Sequence, residues 1–506
     1  MDRAKGDASE RAITSGSDFL QLDVSQAPVG GLADWLAARL RSAVADGRLP
    51  IGSRLPASRV LAGELRVSRG VITEAYQRLI DDGHAVGRGR AGTVVVAAPV
   101  TPISSAPSPP AGQVITAQPG VDVFDAIRAT SARIDLSPGV PDLTAFPRAA
   151  WLRAERAVLD ELSPSDFGYG DPRGTPAMRL AIARWLARNR GIRVDPAEVI
   201  VVAGVAQGMG LVADVLRRNG ITELAVEDPG SLGARQHLHY CGLATPPITV
   251  DEGGLDVAEL RASGAAAVML TPAHQFPTGV VLDGGRRREL MRWAGEGGLI
   301  FEDDYDAEHR YDRAPVPALR SMLTESVCYT GSVSKLLAPA LRVGWLLAPP
   351  RFREELIAAK RFADLGNAVL AQLVLARLME TGELERQLRL LRARHRRRRD
   401  AMIQAIAREL PAAVVHGAAA GLHLTITFDA FVDDVELAAA ALSQGVKVQP
   451  LSWHRQRPGA PGLVMGYAAR TVTEITEGIA ILGRLAGKTS KLSVPGDRQA
   501  VTFEGE

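Results

Sequence analysis

Lys335 follows a run of β-prone residues in YTGSVSKLLAPALRVGW, with Ser332 and Ser334 just before it and Arg342 seven residues after. A lysine desolvated among apolar neighbours loses affinity for its proton and can form an imine with a carbonyl compound. Arg342 and Ser332 supply the donors that grip a phosphate. Isolated lysines are usually surface groups, so this motif alone leaves both readings open. In FEDDYDAEHRYD, Asp303 and Asp304 stand at the end of an apolar run. They could hold a metal, pair with a cationic nitrogen, or cap a helix; Glu308 and His309 lack the H-E-x-x-H spacing of a zinc site. In VVAGVAQGMGL a strand runs into Gly204 and then a helix. There the free N–H groups of Val205 and Ala206 suit an anionic phosphate. A phosphate cradle, an acid for a ring nitrogen and an imine-forming lysine, taken together, are what pyridoxal phosphate requires.

Such groups need a scaffold that brings strand ends together. VIVVAG (199–204), LAVED (224–228), AVMLTP (267–272), LIFEDD (299–304) and VCYTGS (327–332) are short, continuous in apolar character and separated by helical lengths such as PAMRLAIARWLARNRG. Strands buried on both faces and alternating with helices predict a mostly parallel α/β sheet, whose ligands bind beyond the carboxyl ends of the strands. From about residue 376 the pattern turns α+β: an Arg-rich helix, the strand LHLTITF and the helix TEITEGIAILGRLA. That reads as a smaller flanking subdomain.

The first hundred residues follow a different grammar. Leu32, Leu36, Leu40 and Val44 recur every four residues before Asp46-Gly47 ends the helix. Two short helices follow in RLPASRVLAGELRVSRGVITEAYQRLIDDG, with Ser58 and Ser68 as caps, a turn at Arg66-Val67, and Leu61, Leu65, Val71, Ala75 and Leu79 as shared core. HAVGRGRAGTVVVA then reads as a hairpin around a Gly/Arg-rich tip. This is a winged helix-turn-helix. Its second motif helix enters the major groove of double-stranded DNA with Arg69 and Thr73 near its start; Arg59 opens the helix before, and Arg88 and Arg90 occupy the wing. Domain limits follow: 22–98 for the winged helix, 99–130 for a Pro/Ser/Ala-rich linker, 131–488 for the large domain and 489–506 for a flexible tail.

Composition bounds the rest. The chain has 506 residues, 46% hydrophobic, and its 59 basic and 57 acidic residues leave a net charge of +2. That excludes wholesale disorder and a uniformly polybasic surface, so any nucleic-acid face is local. Two distant cysteines, Cys241 and Cys328, exclude a disulfide framework. No apolar stretch approaches the ~20 residues that span a bilayer, and MDRAKGDASER is no secretory signal. The expected protein is soluble and cytoplasmic, without membrane contact. RARHRRRR (392–399) reads as the exposed face of the long helix rather than a second DNA site, and His274, His309 and His423 as hydrogen-bonded histidines rather than metal ligands.

TPAHQFPTG (271–279), EDDYDAEHRY (302–311) and GSVSKLLAPALRVGW (331–345) resemble the signatures of fold-type I aminotransferases of the aspartate aminotransferase superfamily. With the RLPASR and VSRGVITEAYQRL wording ahead of them, nearly the whole chain resembles the MocR/GabR subfamily of GntR-type regulators. The resemblance implies Lys335 as the Schiff-base lysine of pyridoxal 5′-phosphate, Asp303 as partner of the pyridine nitrogen and Tyr305 as partner of the ring 3′-oxygen. Ser332, Arg342 and the amides of Val205 and Ala206 would hold the phosphate, and Tyr169 would reach the phosphate of a neighbouring subunit. For DNA it implies Arg59, Ser68, Arg69, Thr73 and Arg88. Three departures stand out: Ser231 follows D-P-G where the family often has an aromatic residue, Phe276 stands before P-T-G where aspartate aminotransferases have Asn, as the H-Q-F-P wording allows, and Val464 occupies the place of the arginine that binds a substrate carboxylate. Arg235, Arg455 and Arg470 are the candidate substitutes. The expected function is a regulator sensing pyridoxal phosphate, or its adduct with an amine or amino acid, and controlling vitamin B6 or amine metabolism. A working aminotransferase with an accessory DNA-binding domain is the alternative, and a cofactor-free regulator a third reading. A head-to-tail, domain-swapped homodimer is expected.

Overall fold

The computed structural model describes residues 22–28, 30–89, 92–96, 114–306, 308–311, 316–429 and 432–492. It forms two compact units, Met1–Ser108 and Pro109–Glu506.

In the first unit, helix Leu32–Ala45 buries Leu36, Leu40 and Val44, as the four-residue spacing demands. Helices Ser58–Leu65 and Arg69–Asp81 meet at Arg66, whose φ of 55° turns the chain sharply. Because the second of these helices begins at Arg69, the positions that face inward are Ile72, Ala75, Tyr76 and Leu79, the i, i+3, i+4, i+7 stripe. Leu65 and Val71, expected inside, lie only half-buried at the edge of that core, while Leu61 is fully buried. Tyr76 is tolerated there because its hydroxyl donates to the Pro56 carbonyl at 2.8 Å. The expected caps differ from what forms. Ser58 lies inside its helix, and its Oγ accepts from Arg69 Nε at 3.2 Å; Ser68 occupies the N-cap position but makes no side-chain cap bond. Strands Ala85–Gly87 and Thr93–Val95 pair antiparallel, with Ala85 opposite Val95 and both buried. This is the wing.

The second unit is built on an eight-stranded sheet in the order Ile200–Val202, Gly344–Leu347, Val327–Ser332, Leu299–Asp304, Ala267–Leu270, Ala225–Asp228, Pro247–Asp251, Gly254–Leu255. The five strands from Val327–Ser332 to Pro247–Asp251 are mutually parallel. Gly344–Leu347 runs antiparallel to both of its neighbours, which makes the sheet mostly rather than wholly parallel. Apolar residues fill both faces: Val201, Val268, Ile300 and Tyr329 in one cluster, Val202, Met269, Phe301 and Cys328 in the other. Continuous apolar runs are the sequence signature of such double burial.

A second, smaller core lies on the antiparallel sheet Val414–His416, His423–Thr427, Gly462–Gly466, Gln449–Pro450 and helices Glu383–Glu409, Asp434–Ser443 and Val472–Leu492. Part of the segment expected to be linker belongs to it. Val114, Ile115, Val123 and Ile127 are buried in that core, and Val123–Ala129 is helical. Four apolar side chains gave this stretch enough surface to bury, which its lack of charge concealed. Residues 99–113 and Arg90 lie outside the described residues, as does the tail from 493; the last helix continues to Leu492, beyond the expected limit at 488. No described helix is long and apolar enough to cross a membrane.

Candidate functional site

A cavity of about 720 Å³ opens at the carboxyl ends of the parallel strands, lined by Val205, Ala206, Asp303, Tyr305, Ser332, Lys335 and Arg342 among others. Its size falls within the roughly 300–1,000 Å³ of small-molecule sites. Seven of the eight residues expected around the cofactor are thereby gathered in one place. Tyr169, the eighth, stands apart and is 95% exposed.

Each side chain owes its position to a strand end. Alternation along Leu299–Asp304 sends Asp303 to the cavity and Asp304 to the opposite side. There Asp304 is buried against Arg190 Nε at 2.5 Å and the Tyr329 hydroxyl at 2.5 Å. Asp303 keeps an unpartnered, buried Oδ1. Burial, reinforced by Asp304 and Asp306 and opposed by Lys335, pushes the Asp303 carboxyl up to about 7. An acceptor so placed lacks a cationic or N–H partner.

Lys335 follows the strand Val327–Ser332, and its Nζ donates to the Gly139 carbonyl. Desolvation lowers its pKa, with Asp306 and Asp303 opposing the shift, so more of the amine is neutral than in water. Gly139 has φ 75°, and a Cβ there would stand 3.0 Å from Nζ. Tyr305, just past Asp304, places its hydroxyl 3.0 Å from His274 Nδ1, which also lies 3.0 Å from Asp306. Burial and the two nearby carboxylates hold the phenol proton on well above its usual range.

The cavity lining also includes an anion cradle. Gly204 caps helix Val205–Arg218 with φ 85° and ψ 174°, a conformation essentially confined to glycine. The Arg342 guanidinium packs against it: a Cβ on Gly204 would lie 3.2 Å from Nη1. Arg342 Nη2 donates to the Ala203 carbonyl, and Ser332 Oγ accepts from Ser334 N at 3.3 Å. A helix N-terminus, an arginine and a serine hydroxyl thus converge, the donor set that phosphate calls for.

Three further residues wall the cavity, of which Gly139 and Glu227 were not singled out by the sequence and Phe276 was met only as a departure from the aspartate aminotransferases. Gly139 comes from SPGVPD (137–142), where the Pro-Gly pair was the available signal. Glu227, at the end of Ala225–Asp228, accepts from Thr271 N at 3.0 Å and Thr271 Oγ1 at 2.7 Å, and burial pushes it up to about 7; like Asp303, it is an acid at a strand end. Phe276 packs edge-on to Tyr305 and His454, with ring centroids 6.1 and 5.1 Å away. His274, Asp306 and His423 bring ligand-type atoms within 4.8 Å of one another, with His274 Nδ1 engaged as above and His423 Nε2 3.2 Å from the Pro277 carbonyl. His309 Nε2 sits 3.2 Å from the Lys335 carbonyl. Val464 is buried in Gly462–Gly466, between Thr425 and Gln449, and does not line the cavity.

In the amino-terminal unit, Arg59, Ser68, Arg69, Thr73 and Arg88 are all exposed. Arg69 and Thr73 are one turn apart, and the Thr73 hydroxyl donates to the Arg69 carbonyl at 3.0 Å. Arg59, Arg69 and Arg88 form no ion pair among the described residues, whereas Arg41 pairs with Asp82 at 2.9 Å and Arg78 with Asp34. The basic run lies on Glu383–Glu409 and is not one solvated face: Arg396 and Arg397 are exposed, but His395 is buried and Arg398 binds Asp142 at 2.8 Å.

Residues 132–478 match the aminotransferase class I and II family, and residues 32–95 match the gntR family of bacterial regulatory proteins. The chain is 30% identical to the probable rhizopine catabolism regulatory protein MocR of Rhizobium meliloti, over 88% of this chain and 91% of that one. It is 29% identical to the HTH-type pyridoxine biosynthesis transcriptional regulator PdxR of Corynebacterium glutamicum, over 86% and 91%. Among solved structures, the α-aminoadipate aminotransferase LysN of Thermus thermophilus, complexed with N-(5′-phosphopyridoxyl)-L-leucine, superimposes with a TM-score of 0.66 at 25% identity, covering 76% of this chain and 97% of that one.

Proposed function

Because the chain belongs to the MocR/GabR subfamily of GntR-type transcriptional regulators, joining a gntR-family winged helix to an aminotransferase class I and II domain, we propose that it controls transcription by sensing pyridoxal 5′-phosphate or an adduct of it in the cavity around Lys335. One observation carries the reading: a desolvated lysine amine, an unpartnered buried carboxylate oxygen on Asp303 and an anion cradle at Gly204–Arg342 line a single cavity. Those three needs are the ones the cofactor presents.

Arg342, Ser332 and the amides of Val205 and Ala206 would hold the phosphate, Asp303 the pyridine nitrogen and Tyr305 the ring 3′-oxygen. When bound, the cofactor supplies an aldehyde that condenses with amines and a ring that withdraws electrons. Asp303 would hold a proton on the ring nitrogen, and Lys335 would offer the amine. Val464, where the family resemblance places a carboxylate-binding arginine, supports sensing over turnover. Arg59, Ser68, Arg69, Thr73 and Arg88 would contact operator DNA, and a homodimer would present two such winged helices to paired half-sites. The exposed Tyr169 is then free to serve the partner's phosphate, and a cytoplasmic location suits a protein that binds chromosomal DNA.

The test is an absorbance spectrum of the purified protein, followed by borohydride trapping and peptide mass spectrometry, with DNA binding measured at varied pyridoxal phosphate. The expected result is a visible band, a pyridoxyl label on Lys335 that Lys335→Ala abolishes, and DNA affinity that changes with the cofactor. Sustained turnover of common amino acids would favour the enzyme instead.

A further inference from the structure

Lys360, on helix Pro350–Asp364, is wholly buried, a place that lysine takes only when its charge is met. An ammonium carries three donors and no acceptor. Here those donors meet three residues: Gln207 Oε1 at 3.0 Å, Asp364 Oδ1 at 2.7 Å and Oδ2 at 2.5 Å, and Asn367 Oδ1 at 2.6 Å. Asp364, one turn along the same helix, supplies the counter-charge. Pairing alone does not require the interior, because an i, i+4 ion pair forms equally well on a helix surface. What burial adds is contact with Gln207, from helix Val205–Arg218, and with Asn367, from the loop before helix Val369–Glu380.

That charge orients both amides. An NH2 group facing an ammonium is repelled, so each amide turns its oxygen to Lys360 and its nitrogen away. Gln207 Nε2 then donates to Asp364 Oδ2 at 2.7 Å, while Gln207 Oε1 also accepts from Ala203 N at 2.7 Å. Ala203 is the residue whose carbonyl takes the Arg342 guanidinium. Asn367 Nδ2 donates to the Arg342 carbonyl at 3.3 Å. Arg342 needs such a hold: its backbone is left-handed, at φ 50° and ψ 46°, a conformation that persists in a side-chain-bearing residue only when its surroundings fix it. Two parts of the phosphate cradle, the turn before helix Val205–Arg218 and the backbone of Arg342, are therefore tied to one buried ammonium.

We propose that Lys360 is a positioning residue for the phosphate cradle: through Gln207 and Asn367 it fixes Ala203 and Arg342, and so sets how strongly the cavity prefers a phosphorylated ligand over the same ligand without its phosphate. The inference rests on the reading of Gly204 and Arg342 as part of a phosphate site. Lys360 does not itself line the cavity, so it acts on the ligand only through those two amides. Replacing a buried ion pair by apolar side chains is often neutral or stabilising, which makes stability alone a poor reason for the lysine.

Pyridoxal phosphate and pyridoxal serve as probes, titrated into the full-length protein and followed by the visible band. Lys360→Met should weaken pyridoxal phosphate about tenfold, the scale of one charge-assisted hydrogen bond, and leave pyridoxal within about twofold. Asn367→Asp keeps the oxygen that faces Lys360 and removes only the donor to Arg342; it should show the same selective loss, and it decides the matter if Lys360→Met does not fold. Inorganic phosphate, titrated calorimetrically into the same proteins, should lose affinity in parallel with pyridoxal phosphate. Equal losses for pyridoxal phosphate and pyridoxal overturn the proposal, since the two residues then support the fold at large. Unchanged affinity for pyridoxal phosphate in both variants overturns it too, and leaves the cofactor reading in place. A wild-type protein without a band that binds phosphate, and binds it more weakly in Arg342→Gln and in Lys360→Met, removes the cofactor and keeps the positioning role. One with neither band nor phosphate affinity overturns both.

Discussion

Replacing Gly204 by alanine tests the anion cradle at its tightest point. Gly204 holds φ 85° and ψ 174°, a region in which a side chain costs roughly 1–3 kcal/mol of backbone strain. The new methyl would also arrive 3.2 Å from Arg342 Nη1 and 3.3 Å from Nη2, so the guanidinium must retreat from the helix N-terminus. Losing one hydrogen bond between charged groups removes about 1.5–3 kcal/mol, or about 10- to 100-fold in affinity. Gly204→Ala should therefore bind pyridoxal phosphate about 10- to 100-fold more weakly, read from the visible band during titration, and melt a few degrees lower. Gly220→Ala is the control: its φ is also positive, at 77°, but nothing lies within 4 Å of its missing Cβ. That variant should lose stability and keep cofactor affinity. If Gly204→Ala binds the cofactor as well as the wild type does, Arg342 and this helix end are not the phosphate site.

Three other outcomes follow from distances and charges already given. Cofactor affinity should rise between about pH 6 and pH 8 as Asp303 ionises, and Asp303→Asn should flatten that part of the profile; the same carboxyl, raised from 3.8 to about 7 on folding, stabilises the empty protein fully below pH ~4 and loses that contribution as pH climbs through ~7, which acid and neutral urea titrations would show. Arg190→Met strands Asp304 in the interior without its partner and should cost about 3–5 kcal/mol of unfolding free energy, measured by urea denaturation. Arg69→Ala should weaken binding to an operator selected from random DNA by about 1–3 kcal/mol while leaving the visible band unchanged, checked by fluorescence anisotropy.

Strands were legible where both faces are buried. LIFEDD and VCYTGS appear as Leu299–Asp304 and Val327–Ser332, residue for residue, because an unbroken apolar run has few other uses. Gly344–Leu347 was hidden: GWLL sits inside the lysine motif, and its antiparallel direction follows from a tight return that no periodicity announces. Lys335, Asp303 and Arg342 could be found because each stands at a strand end with a chemistry of its own. Arg235 surfaced only as a possible substitute, since its burial depends on Trp453, more than two hundred residues away. The helix Val123–Ala129 was missed because a segment rich in Pro, Ser and Ala reads as spacer until one asks where Val123 and Ile127 point. Ser58 failed as a cap because the helix register places it one position inside, and Arg69 claims its hydroxyl.

Trp453 joins two distant stretches of the larger unit. Its carbonyl receives the Arg235 guanidinium, and its indole Nε1 donates to the carbonyl of Thr116 at 2.7 Å. One residue thus separates Arg235, in the cavity lining, from the Thr116 segment, and Val114 and Ile115 moor that segment to the smaller core rather than to the large sheet. A shift of Arg235 would therefore reach the Thr116 segment through a single indole.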